Sequence, residues 1–167
     1  MTILETERLT LREIATSDAE FILELLNDPG FLRFVADRGV RTTADAANYI
    51  VTKIRPSYEQ FGFGFYLVEL KGSGLPLGIS GLVKRETLDD VDIGYSFLER
   101  FCGNGYAYES AAAVMDYGRR VLGLERIVAV TMPTNVNSIK LLEKIGLQFE
   151  KMIQLPGYGP DETSLFG

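Results

Sequence analysis

The chain has 167 residues, 46% of them hydrophobic and 24% charged, which suits one domain of ordinary globular composition. Its 17 basic and 23 acidic residues give a formal charge of −6, which argues against a general nucleic-acid binder because such proteins need a basic surface. With one cysteine and no histidine, the chain cannot build a Ser-His-Asp site, a Cys-His site, an internal disulfide or a His/Cys zinc site.

The first half of the sequence predicts a strand, two helices and a hairpin. Leu9 and Leu11 alternate with polar residues, as in a half-buried strand. Ser17 and Glu20 have the spacing of a capping box for the first helix. Pro56 is expected to kink the second helix or to start a new turn. The predicted elements are a strand over 6–14, helices from 17 to 26 and from 43 onward, and paired strands over 63–70 and 75–85.

The second half alternates strands with helices. It predicts strands over 91–98, 126–132 and 147–155, a helix from Gly105 to about Leu122, and a short helix capped by Asn137-Ser138. The segment Glu162–Phe166 is a candidate for one more strand. An antiparallel first half followed by β-α-β-α implies a mixed sheet with helices on its faces.

The segment Arg100–Ala107 joins a predicted strand to the start of a predicted helix. Gly103 and Gly105 allow unusual backbone dihedral angles and a close approach to a ligand. The free amides of the first helical turn favour an anion, so this turn could bind a pyrophosphate. The alternative is a plain strand-to-helix turn. A dinucleotide fingerprint fits poorly because its third glycine position holds Tyr108, and the chain has no Walker motif.

The spacing Arg-x-x-Gly-x-Gly at Arg100–Gly105 resembles the acyl-CoA signature of the GNAT acetyltransferase superfamily. The continuation Gly105–Ala111 and the later Pro133–Ser138 resemble its RimJ/RimL-like branch. The resemblance implies an α/β (α+β) fold in one domain over 1–167. It also implies a mixed, mostly antiparallel sheet of six to seven strands, flanked by about four helices and splayed between the fourth and fifth strands.

The resemblance also implies which residues bind acetyl-CoA. The pantetheine arm would lie along the strand that ends at Leu98, the pyrophosphate would sit in the glycine turn, and Asn135 would bind the arm. The cofactor-binding residues implied in this way are Tyr95, Ser96, Phe97, Leu98, Arg100, Cys102, Gly103, Asn104, Gly105, Tyr106, Ala107, Asn135 and Ser138. No metal is implied.

Two catalytic residues are expected from the same resemblance. Ser138 would protonate or hydrogen-bond the departing thiolate, although it could also be only a helix-capping residue. Asp92 would act as the base or orient a water, and main-chain amides of residues 95–98 would hold the oxyanion. Glu109, in the first turn of the predicted helix, is also an acidic residue typical of the branch, and the alternative is that it only complements the helix dipole. Cys102 is expected to be a bystander, because no base lies near it in the sequence.

The expected reaction is transfer of an acetyl group to a primary amine by direct attack in a ternary complex. Deprotonating a lysine amine at pH 7 costs about 4.6 kcal/mol, against about 1.4 kcal/mol for an α-amino group, which favours a peptide N-terminus or another amine of low pKa. The acidic chain suits a cationic amine, so an antibiotic or a polyamine stays open. The alternative is an acyl-CoA-binding sensor without turnover.

The remaining expectations concern location and partners. A single cysteine fits the reducing cytoplasm. The start of the chain has no apolar segment of a secretory signal, and no apolar run approaches the ~20 residues of a membrane span. No nucleic-acid or membrane partner is expected, and the sequence leaves monomer or homodimer open.

Overall fold

A computed structural model describes residues 1–156 and 161–167 of the chain. Its eight described strands form one sheet in the order β1-β2-β3-β4-β5-β6-β8-β7. The strands are β1 (Thr2–Glu5), β2 (Leu9–Glu13), β3 (Phe65–Leu70), β4 (Leu75–Val83), β5 (Val91–Phe97), β6 (Ile127–Thr131), β7 (Phe149–Ile153) and β8 (Thr163–Phe166). The predicted mixed, mostly antiparallel sheet is confirmed, since β5 and β6 are the only parallel pair among the described strands.

The helices cover both faces of this sheet. They are α1 (Ala19–Leu26), α2 (Pro29–Phe34), α3 (Thr43–Tyr49), α4 (Arg55–Phe61), α5 (Tyr106–Arg120) and α6 (Val136–Lys144). A π-helical turn, Ile50–Ile54, joins α3 to α4, and Pro56 lies in the first turn of α4, where a missing amide hydrogen costs little. None of the helices in the described residues is long and apolar enough to cross a membrane.

Two buried clusters divide the core between the two faces. Leu82, Ile93 and Phe97 pack with α5 on one face. Ile79 and Phe65 pack with α1 and α3 on the other. Because side chains alternate along a strand, β5 therefore presents successive residues to two different helical layers.

The strand count and order differ in part from the sequence prediction. The predicted strand over 6–14 begins only at Leu9, and Thr2–Glu5 forms an additional strand antiparallel to it. This extra strand makes the splay, expected between the fourth and fifth strands, fall between β5 and β6. Glu162–Phe166 does contain a strand, and β8 lies between β6 and β7 with all four residues buried.

Two predicted helix caps are wrong. The Ser17–Glu20 capping box does not form, because a 3₁₀ turn over Thr16–Asp18 precedes α1, and the Asp18 carboxylate accepts from the Ala15 amide at 2.8 Å. At α6 the capping residue is Asn135 rather than Asn137, and its Oδ1 accepts from the Ser138 amide at 3.3 Å. In both cases the side-chain oxygen and the amide that donates to it belong to residues three positions apart, a spacing typical of helix starts.

Candidate active site

The glycine turn opens α5 with unused backbone donors. Gly103 has φ of 86° and Gly105 has φ of 81°, in the left-handed region that side chains with a Cβ rarely adopt. Within the described residues, no hydrogen-bond acceptor meets the backbone amides of residues 103–108. Free amides at the positive end of a helix dipole form a site suited to an anion such as a pyrophosphate.

Glu109 fixes the position of this turn. Its carboxylate accepts from the Thr6 hydroxyl at 2.5 Å, from the Arg8 amide at 3.0 Å and from Arg8 Nε at 2.7 Å. Arg8 Nη1 also donates to the Asn104 carbonyl at 3.0 Å. The link between β1 and β2 is thereby fastened to the turn and to the first turn of α5. Partial burial raises the pKa of Glu109, but the Thr6 and Arg8 hydrogen bonds outweigh it and leave that pKa below its usual value.

We expect Glu109→Gln to lower the free energy of unfolding by about 1–2 kcal/mol at pH 7, since it weakens charge-assisted bonds to a side chain that is only 20% exposed. A carboxyl with a depressed pKa stabilises the fold above its unfolded pKa, and this contribution disappears as the pH falls through the folded pKa. Urea unfolding should therefore show a difference at pH 7 that shrinks on acidification below about pH 4. Glu20→Gln, at an exposed position on α1, is the matched control; equal effects of both substitutions would contradict this role.

Arg100 and Cys102 have other contacts in this structure. Arg100 forms an exposed ion pair with Glu24 of α1 and stacks over the ring of Phe101. The pKa of the Cys102 thiol is raised by burial and by the nearby carboxylates of Asp28 and Glu99, so little thiolate is present. These contacts support the bystander interpretation of Cys102.

The strand that leads into the turn has an open edge. β5 pairs with β6 only through Val91 opposite Ile127 and Asp92 opposite Val128. Beyond Asp92, β6 pairs instead with β8 on its far side. The main chain of β5 after Asp92 therefore faces a gap in the sheet, where an extended ligand could hydrogen-bond as an added strand.

Across this gap Tyr95 meets Ser138. The Tyr95 hydroxyl lies 2.8 Å from Ser138 Oγ and 3.3 Å from the Ser138 carbonyl oxygen. Burial raises the pKa of Tyr95 to about 12, opposed in part by the Ser138 hydrogen bond, so the phenol keeps its proton at neutral pH. Asn135 holds the Ser138 amide at the start of α6, so Ser138 has both a capped backbone and a bonded hydroxyl.

Asp92 lies at the base of the gap, where β5 and β6 part. It is 1% exposed, and its carboxylate pairs with Arg85, which donates from Nε at 2.9 Å. Burial raises the pKa of Asp92, and the Arg85 charge opposes this rise without reversing it. A raised pKa makes the carboxylate a stronger base than an exposed aspartate.

Asp92 and Tyr95 project to opposite faces of β5, since they are an odd number of residues apart. Asp92 shares its face with Gly94, which packs against the Phe65 ring, whereas Tyr95 packs in the cluster below α5 and α6. One pocket of about 500 Å³ is nevertheless lined by both side chains and by Ser138. The gap thus connects a carboxylate on one face with a pair of hydroxyl groups on the other.

Comparison with known proteins identifies the family. The model of the acetyltransferase (GNAT) domain family matches residues 8–148. The chain belongs to the GNAT acetyltransferase family. The uncharacterized N-acetyltransferase YoaA of Bacillus subtilis (strain 168) is 31% identical over 91% of this chain and 86% of its own length. A GNAT-family acetyltransferase structure from Bacillus anthracis is 27% identical, with a TM-score of 0.80, covering 99% of this chain and 96% of that one.

A third similar structure is RimL, a ribosomal L7/L12 alpha-N-protein acetyltransferase in complex with coenzyme A. It has a TM-score of 0.82 at 18% identity, covering 99% of this chain and 96% of that chain, so this likeness concerns the fold alone. Family membership and the named N-acetyltransferase relatives make the chain an acyltransferase.

In this GNAT chain the structure brings together Asp92, Tyr95, Asn135 and Ser138 around one pocket. Arg100 is directed to α1 instead. The sequence interpretation used only the main chain of Tyr95 and missed Arg85. The hairpin register could have found Arg85, since Asp92 pairs with Val83 and Arg85 follows two residues later. In residues 1–156 and 161–167, no three acidic or cysteine side chains cluster as a metal site would require.

Proposed function

We propose that this protein is an acetyl-CoA-dependent N-acetyltransferase that transfers an acetyl group to a primary amine. One observation carries the proposal: the open edge of β5 leads, through a 3₁₀ turn over Glu99–Phe101, to the glycine turn whose free amides begin α5. An extended thioester arm along that edge would place its pyrophosphate end at the turn. It would place its acyl end at the pocket that contains Asp92 and Ser138.

The residues present fit coenzyme A. Two left-handed glycines keep side chains out of the turn, and six consecutive amides there have no acceptor within the described residues. Residues 103–108 would hold the pyrophosphate, the main chain of 93–98 would pair with the pantetheine arm, and Asn135 would border it. When bound, acetyl-CoA supplies an activated acetyl thioester.

The protein's own groups would manage two protons. Asp92, on the face of α1 and α3, would take a proton from the attacking amine directly or through a water. Ser138, on the face of α6, would donate to the departing sulfur while the Tyr95 hydroxyl hydrogen-bonds Ser138 Oγ. Because acid and base lie on opposite faces of the sheet, the amine would attack from one side and the thiolate would leave on the other.

We also propose the acceptor class, the branch of the family, the cellular location and the extent of the domain. The acceptor is a peptide N-terminus or a small amine, the branch is RimJ/RimL-like, and the reaction takes place in the cytoplasm. The single domain spans residues 1–167. The TM-score of 0.82 to RimL supports the branch at the level of the fold.

Thiol release from acetyl-CoA tests this function when measured with N-terminal peptides, polyamines, aminoglycosides and amino acids as acceptors. We expect acetyl-CoA to bind and at least one primary amine to accelerate thiol release, with the acetylated amine seen by mass spectrometry. Binding without turnover on any amine would contradict the enzyme and favour an acyl-CoA sensor.

A further inference from the structure

A row of two glycines lets the ring of Phe65 lie against the strand that carries Asp92. Phe65 on β3 lies opposite Gly81 on β4, and Gly81 lies opposite Gly94 on β5. Residues directly opposite each other in an antiparallel sheet share a face, so these three lie on one face. A Cβ at Gly94 would be 2.9 Å from Phe65 Cε1, and one at Gly81 would collide with the main chain of Gly64 and Phe65. The two glycines therefore leave the space that the Phe65 ring needs to reach β5.

The Phe65 ring lies on the same face of the sheet as the proposed base. Side chains two residues apart on a strand share a face, so Asp92 and Gly94 project toward the layer of α1 and α3, with which Phe65 packs. The ring occupies the place that a side chain at Gly94 would take, two residues along β5 from Asp92. Because Asp92 is proposed to take a proton from the amine on this face, the group that carries the amine lies close to this ring.

The wall of the pocket around Phe65 is mainly apolar. Members of the buried cluster next to α1 and α3 that also line the pocket include Ile22, Leu26, Phe31, Val35, Tyr49 and Ile54. Phe34, the last residue of α2, adds another aromatic ring. Phe34 and Phe65 are half-buried, so part of each ring is left for a ligand to cover. Removing apolar surface from water is favourable in proportion to its area, so this wall suits an apolar group.

The charged residues of the pocket do not form a site for a polycation. Among the described residues that line it, Asp92 is the only carboxylate, and Arg85 already donates to it. A second ammonium group, as in a polyamine or an aminoglycoside, would therefore lose water here without meeting a further carboxylate. Arg38 and Lys53 also line the pocket, so the test below includes an acidic acceptor.

From this geometry we infer that the acceptor is a primary amine whose adjoining substituent is aliphatic or aromatic and is covered by Phe65 and Phe34. The inference rests on the proposed function and narrows its acceptor class. Two sources share this chemistry: a peptide with an apolar first residue, and a free alkyl or arylalkyl amine. The two rings determine specificity by covering the substituent while the amine lies at Asp92. Polyamines and aminoglycosides are excluded as good acceptors.

Matched acceptors test the inference through kcat/KM. Tripeptides that differ only in the first residue compare leucine with alanine, asparagine, aspartate and lysine, and free n-pentylamine is compared with cadaverine. Each buried CH₂ group changes a binding constant about fourfold, so the larger side chain of leucine predicts a preference over alanine of roughly 10- to 60-fold. Leucine should exceed asparagine, which has a similar shape, by at least about tenfold. The peptide and pentylamine arms tell the two sources apart.

The salt dependence of this preference separates apolar burial from charge recognition. The leucine/asparagine ratio should change little between about 0.05 and 0.5 M salt, because salt screens exposed charges and not the burial of apolar surface. A ratio that collapses over this range would contradict an apolar wall.

Variants assign the preference to the two rings. Phe65→Ala and Phe34→Ala should each reduce the leucine/asparagine ratio about threefold to tenfold through KM, with kcat little changed. Phe65→Leu should keep most of the ratio, since an apolar side chain remains on the wall. Phe34 is half-buried at the end of a helix, so its variant keeps the test decisive if Phe65→Ala does not fold.

Two phenylalanines outside the pocket provide matched controls. Phe61 ends α4 as Phe34 ends α2, and Phe149 begins β7 as Phe65 begins β3. Neither lines the pocket, so Phe61→Ala and Phe149→Ala should leave the leucine/asparagine ratio unchanged.

The outcomes separate this inference from the proposed function. Turnover with a leucine/asparagine ratio near one, a preference for aspartate or lysine, or cadaverine as good as pentylamine would overturn the inference while the acetyltransferase stands. A preference that Phe65→Ala and Phe34→Ala both leave unchanged would do the same. Acetyl-CoA binding without turnover on any amine would overturn both.

Discussion

Replacing Ser138 with alanine is expected to lower kcat about a hundredfold while the acetyl-CoA dissociation constant stays within about twofold. A positioned proton donor contributes roughly 10²–10⁴-fold to a rate, and Ser138 Oγ is the hydroxyl placed at the open edge of the sheet. The backbone amide of residue 138 still reaches Asn135 Oδ1, so the start of α6 should survive the change. Single-turnover kinetics and calorimetric titration together measure the two effects.

Tyr95→Phe tests whether the hydroxyl that contacts Ser138 contributes to the same step. The phenol lies 2.8 Å from Ser138 Oγ, so its removal should lower kcat about tenfold by releasing the serine hydroxyl from its orientation. If the two hydroxyl groups act together, the double variant will be no slower than Ser138→Ala alone. Additive losses in the double variant would contradict the proposed orientation of Ser138 by Tyr95, and a normal kcat for Ser138→Ala would contradict the proposed proton donation by Ser138.

Gly103→Val is expected to weaken acetyl-CoA binding at least tenfold. A β-branched residue at φ of 86° is strained by about 1–3 kcal/mol, so the turn must change its backbone and misdirect its amides. A Cβ built at Gly103 meets nothing within 4 Å, so the loss would come from backbone conformation rather than from a clash.

Gly123→Val is the matched control for this turn. Gly123 follows the other end of α5, has φ of 71°, and a Cβ there also meets nothing within 4 Å. Both substitutions should cost similar free energy of unfolding, but only the one at Gly103 should change the calorimetric dissociation constant. Equal affinity losses in the two variants would show that general destabilisation, rather than the turn, causes the effect.

The sequence predicted the turn well because its signal is local. Two glycines between a strand and an amphipathic helix specify left-handed positions, and the structure has them at Gly103 and Gly105. The splay after Asp92 was expected only from the family resemblance, because a gap between strands depends on pairing that no local pattern encodes. The position of β8 between β6 and β7 is likewise a matter of long-range pairing.

The side-chain partners in the site were less predictable. The 2.8 Å contact between Tyr95 and Ser138 joins residues 43 apart in sequence and requires the fold. The position of Glu109 in the sequence predicts mainly an interaction with the helix dipole, yet its carboxylate bonds Thr6 and Arg8, more than a hundred residues away.

A titration of ¹⁵N-labelled protein with acetyl-CoA tests the central proposal most directly, because it reports on each backbone amide. The largest chemical-shift changes should occur at the amides of residues 103–108, with a second group along residues 93–98 of the open strand edge. Absence of saturable changes, or changes confined to the separate pocket lined by Thr16 and Glu59, would contradict the proposed binding of the coenzyme.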